Sequence, residues 1–281
     1  HRTLTPLTRP RERVDKEVLT REEAIEWQAF ENRRQNRDLI IDSVGGAGYP
    51  PGVISYNNFW YERGIETIAD RRTSLIYDPP NGRMPPTNAA GQKRRAEIAE
   101  MRRLTIGPEA RTLSDRCLLM GGLPMTSGAY NNNMQLIQTK DHIVIVNEMI
   151  HRARIIRLDS EHHTRQLKWS GDSIAHWEGD TLVVEVRNLN GRTSYQGSSA
   201  DMKLTQRFTR TGPNSLEYQF TIDDPAVWTE PWTGMFTFVR DDSQYELVEY
   251  ACHEGNYGMT NSLSGARAID RREAEAAENN Q

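Results

Sequence analysis

From about Asn133 onward, apolar and polar positions alternate with a period near two, and β-branched runs are cut by short polar turns. The clearest unit is a hairpin: residues 173–177 and 181–187 are apolar-rich strands joined by Glu178-Gly179-Asp180. The same pattern places further strands at 134–138, 142–149, 154–158, 203–210, 216–222, 234–240 and 245–251. Connections such as Thr211-Gly212-Pro213-Asn214 and Asp241-Asp242-Ser243 are short. Successive strands on short hairpins predict a mainly β fold, an antiparallel up-and-down barrel or curved meander of calycin-like form. A two-sheet sandwich is the alternative.

The pattern before residue 111 is different. Residues 1–19 carry Pro6 and Pro10 and predict an extended arm. Thr20-Arg-Glu-Glu23 fits a capping box and opens a helix to about Arg34. Gly45-Gly46-Ala47-Gly48 and Pro50-Pro51-Gly52 predict a loop, followed by an aromatic cluster at 56–61 and a strand at 73–77. A second helix is expected over 91–104, anchored by Ile98, Met101 and Leu104. The organisation is therefore an arm, two short helices and irregular segments over 1–110, a β domain over 111–268, and a polar tail over 269–281.

Charge narrows the partners. Thirty-five basic and 39 acidic residues give a net charge of −4, with arginines interleaved among acids as in Arg11-Glu12-Arg13. That is a mixed, solvated surface and gives no case for nucleic acid. No run approaches the roughly 18 apolar residues of a membrane helix, so no transmembrane segment is expected. Two cysteines, Cys117 and Cys252, lie 135 positions apart and outside any metal spacing. They are either two unrelated thiols or one disulfide of an oxidising compartment, which predicts a periplasmic or secreted location. The bridge would stabilise by about 4–5 kcal/mol through loop entropy. The chain begins at His1, which is compatible with a removed leader.

Several short motifs recur together: Ala129-Tyr-Asn-Asn-Asn133, Glu148-Met-Ile-His151, Trp177-Glu-Gly-Asp-Thr-Leu-Val-Val184, Thr221-Ile-Asp-Asp-Pro225, Pro231-Trp-Thr233 and Tyr250-Ala-Cys-His-Glu-Gly-Asn-Tyr257. In combination they resemble a large family of secreted proteins of environmental bacteria. The resemblance implies export. It implies no activity and carries no catalytic residues.

The chemistry-bearing residues form a few clusters. Glu148 and His151 close a very apolar strand, where a barrel mouth would lie. Glu-x-x-His has metal-site meaning on a helix, but on a straight strand the two residues face opposite ways unless a bend intervenes. His253 and Glu254, beside Cys252, are the densest polar group and suit either a general acid–base pair or a hydrogen-bonded corner. His162-His163 lie in a polar connection. Tyr130, Trp169, Trp177 and Tyr257 are candidate ligand-binding aromatics, against the commoner role of core packing. No nucleotide or metal motif is present, and no cofactor is expected: Gly171-Asp-Ser-Ile lacks the helix of a nucleophile elbow, and His253-Glu254 lacks the second histidine of a zinc protease. The expectation is a small-molecule binder, with acid–base catalysis by Glu148, His151, His253 and Glu254 as its enzymatic form. The competing expectation is an accessory subunit of a larger membrane-associated assembly, wrapped around its partner by the arm and tail.

Overall fold

The computed structural model describes residues 3–39, 58–62, 64–104, 107–120, 123–192, 195–242 and 246–279. The glycine-rich loop at 45–52, and Tyr56 and Asn57 of the aromatic cluster, lie outside the described residues. The elements in chain order are α1 (Arg21–Gln35), β1 (Ile76–Asp78), α2 (Ala89–Arg103), β2 (Met134–Gln138), β3 (His142–Asn147), β4 (Arg152–Leu158), β5 (Asp172–Glu178), β6 (Thr181–Arg187), β7 (Lys203–Gly212), β8 (Ser215–Asp223), β9 (Trp232–Val239) and α3 (Tyr257–Asn279).

The strands form one nine-stranded sheet in the order β1-β9-β8-β7-β6-β5-β4-β3-β2. Residues of β2, at one end of that order, and of β8 and β9, near the other, line a common cleft, so the sheet is strongly curved. It does not close: among the described residues no ladder joins β2 to β9 or β1. Of the two forms expected, the closed barrel is therefore corrected, and an open, curved, mostly antiparallel sheet compatible with the meander is what the strands build.

A second correction concerns β4 and β5, which pair in parallel, with Ile156 opposite Ser173 and Leu158 opposite Ala175. A hairpin cannot make that pairing, because the chain must return to the starting end of the strand. Residues 159–171 do so. Asp172, 3% exposed, fastens this return: it accepts from Arg157 Nη2 at 2.8 Å, Thr164 N at 3.0 Å and Lys168 Nζ at 3.0 Å.

The β5–β6 hairpin forms as the sequence predicts. Glu178 pairs with Thr181, and Gly179 takes a φ of 58° at the turn, where a side chain would be strained. Alternation sends one set of side chains from each strand to the concave face. Ile145, Ile156, Val184, Leu204, Phe220 and Trp232 fill it. Phe220 meets Trp232 edge to face at 5.8 Å.

The N-terminal third is laid against this sheet. The arm is not free: Leu75 N donates to Pro6 O, Ile76 N to Leu7 O, Leu19 N to Arg71 O and Thr73 N to Glu17 O, and Leu4 and Leu19 are buried. The capping box is present, with Glu23 N donating to Thr20 Oγ1 at 3.2 Å and Thr20 N to Glu23 Oε2 at 2.7 Å. α2 is capped by Asn88, whose Nδ2 donates to Pro225 O. It seats through Gly91 and Arg94 rather than through the expected Met101, which is exposed.

The disulfide Cys117–Cys252 is formed. Among the described residues the strand expected over 245–251 does not form: residues 246–251 run without regular structure along the cleft to that disulfide. Helix α3 then begins at Tyr257, earlier than the tail expected from residue 269, and Leu263 is its buried residue. Among the described residues no helix is long and apolar enough to cross a membrane.

Candidate functional site

Glu148 and His151 do fall at a bend. Ile150 and His151 take positive φ values of 56° and 35° between β3 and β4. The bend separates their roles instead of joining them. Glu148 is buried, and its Oε2 accepts from Asn133 Nδ2 at 2.9 Å and Asn133 N at 3.3 Å, which pins the start of β2. The His151 ring is exposed. His253 and Glu254 are also exposed, in the loop between the disulfide and α3, not at a strand end. Among the described residues no hydrogen bond or ion pair links these two pairs.

The aromatic candidates scatter. Tyr130 stacks on Tyr250 at 6.4 Å, and Tyr257, 75% exposed, opens α3. Trp169 lies in the return segment before β5. Trp177 alone of the four lines one of the described cavities. His163 Nδ1 lies 3.2 Å from Asp172 Oδ2, and its Nε2 is buried without a partner. His163 lines none of the described cavities, so this carboxylate–imidazole pair holds the return segment.

The cavity that Trp177 lines has a volume of about 830 Å³. It opens at the end of the curved sheet where the β2–β3, β5–β6 and β7–β8 hairpins turn. Its walls are Leu136, Ile145, Trp177, Leu182, Phe208 and Leu216, all inward positions by strand register. Arg210 edges it, with Nη2 donating to Pro213 O at 2.9 Å. A smaller space of about 270 Å³ lies towards the other end, between Met125, Asn133, Asn147 and Phe238.

Between the two spaces the concave face carries polar side chains that sequence reasoning did not select. Arg154, 4% exposed, donates from Nη1 to Gln206 Oε1 at 2.6 Å. Gln206 Nε2 in turn donates to Tyr218 Oη, which also accepts from Met125 N at 3.1 Å. Burial lowers the Arg154 pKa to about 9, aided by neighbouring Arg152, and burial lowers that of Arg152 to about 10. Burial pushes Tyr218 up to about 12, so its hydroxyl stays neutral at pH 7. The signal was present in Arg152-Ala-Arg154-Ile-Ile156, where two arginines share the parity of an inward isoleucine. Among the described residues no group of three histidine, cysteine or acidic side chains comes together as a metal site.

No known family model matches the chain. No curated protein matches it in sequence.

Proposed function

We propose that the protein is an exported binder of a small organic molecule, held in the cavity of about 830 Å³ on the concave face. The observation that carries this reading is the convergence of apolar side chains from six strands on one open mouth, in the size range of small-molecule sites. Export is supported by the Cys117–Cys252 bridge and by the resemblance to secreted bacterial proteins. In this reading the curved sheet works as a calycin-like cup, and the hairpin turns form its rim. Binding is favoured over acid–base turnover, because Glu148 is committed to Asn133 while His151 and His253 are exposed and line none of the described cavities.

The test is native mass spectrometry on protein isolated from its own host, beside a Trp177→Ala variant. A monomer or small homo-oligomer carrying a small-molecule adduct, weakened in the variant, is the expected result. A stable complex with other polypeptides and no adduct would replace this reading with that of an accessory subunit.

A further inference from the structure

Resting on the reading of the cup as a binding site, we propose that its ligand is an amphipathic organic anion whose carboxylate is received by Arg154 and Tyr218 beside the apolar cavity. The inward face bears Arg152, Arg154 and Arg210, and no aspartate or glutamate takes an inward position on β2 to β9. A guanidinium this deeply buried ordinarily meets a carboxylate, because its desolvation is otherwise uncompensated. Among the described residues no acid bonds the Arg154 guanidinium, whose one partner is the neutral Gln206.

The unmet groups are donors. Nε and Nη2 of Arg154 are buried without a hydrogen-bond partner, as is Nδ2 of Asn147. Tyr218 Oη already accepts from both Gln206 and Met125, so its own proton remains to be given. Arg154 uses one of its five N–H groups on Gln206 Oε1. What satisfies such a set is an acceptor with several lone pairs, and a carboxylate takes two parallel N–H bonds from an arginine fork.

Position supplies the rest of the ligand. Arg154 is the register partner of Ile145, which lines the large cavity. Gln206 precedes Phe208 by two on the same face, and Phe208 lines that cavity and packs on Tyr218 at 5.0 Å. Met125, whose amide bonds Tyr218, lines the smaller space on the far side. The donors therefore share the inward face with the apolar wall, adjacent in register to residues that line it. A molecule with an apolar body and one terminal carboxylate matches both.

The test compares decanoate, 1-decanol and inorganic phosphate on the full-length oxidised protein by titration calorimetry, and then decanoate on Arg154→Met. Decanoate is expected to bind roughly tenfold or more tighter than decanol, the worth of one charge-assisted hydrogen bond. That advantage should vanish in Arg154→Met, which keeps the volume and removes the uncompensated charge, a change that folded proteins tolerate. Equal affinity for decanoate and decanol would overturn the anion inference and leave the apolar cavity standing. Binding of phosphate without decanoate would overturn the amphipathic ligand, and binding of none of the three would sink the cavity reading as well. The comparison on the native protein needs no variant, so poor folding of Arg154→Met would not shield the proposal.

Discussion

Arg157 Nη2 and Asp172 Oδ2 meet at 2.8 Å across β4 and β5, the parallel pair of the sheet. The contact does what a hairpin does elsewhere: it fixes the direction in which the chain re-enters the sheet. Lys168, Thr164 and His163 add to it from the return segment.

Asp172→Asn should therefore destabilise the fold and alter its acid response. Burial pushes the Asp172 carboxyl up, but the bonds from Lys168, Thr164 and Arg157 outweigh it and hold the group well below the usual carboxylate range. A depressed folded pKa stabilises fully above the unfolded value of about 3.9 and loses that stabilisation as pH falls below it. Lys168 and Arg157 are partly exposed, so the loss at pH 7 is about 2 kcal/mol, below that for a fully buried pair. Thermal melts of both proteins should show a constant Tm gap above about pH 5, narrowing below about pH 4. A gap that does not change with pH would separate the effect from the charge.

Gly91→Ala should destabilise although it sits inside a helix. Alanine ordinarily favours a helix over glycine by about 1 kcal/mol. Here a Cβ would stand 2.5 Å from the Val227 carbonyl oxygen, and backbone cannot swing aside. Overpacking of that kind costs about 1–3 kcal/mol, so denaturant melts should show a net loss. A gain in stability would mean that α2 can lift from its seat on residues 225–227.

Removal of residues 1–19 tests the wrapping arm. Burial of Leu4 and Leu19 is worth about 1.5–3 kcal/mol each, before the backbone bonds to residues 66–82 are considered. The truncated protein should melt well below the full chain. An unchanged Tm would make the arm a free tail, available to a partner.

Reduction of Cys117–Cys252 should loosen the C-terminal segment before it touches the sheet. Residues 246–251 join no ladder, and α3 buries Leu263. Hydrogen exchange with and without reductant should show lost protection over 257–279 and unchanged protection over 203–239. Collapse of both together would make the bridge a brace for the whole fold.

Much of the sheet was legible because each strand carries its own evidence. Thr181–Arg187 is β-branched and is preceded by a turn that needs Gly179. Direction was not local in this way: nothing in residues 159–171 announces a parallel return, which depends on Asp172 gathering donors from β4 and from the return itself. Residues 246–251 carry the apolar Leu247, Val248 and Tyr250 of a strand-like run, yet no ladder partner awaits them: β8 pairs with one edge of β9, and β1 with the start of the other. The site was less legible still. Glu148 and His253 drew attention as titratable groups, whereas the inward set at Arg154, Gln206 and Tyr218 becomes visible only once register shows which parity faces inward. Trp177 was found by its type and kept by its place.

The contact of β1 with β9 carries a consequence for the order of events during synthesis. Ile76 finds its ladder partner at Gly234, and Asn88 finds its hydrogen-bond partners at Pro225 and Val227. The arm can bond residues 66–82 as soon as both are made, but the seats of Ile76 and Asn88 on the sheet side of the fold wait until strands β8 and β9 have followed. Contacts of such sequence separation are slow to close, and the waiting segment is rich in charge. The chain is built so that what is made first is docked onto the sheet last.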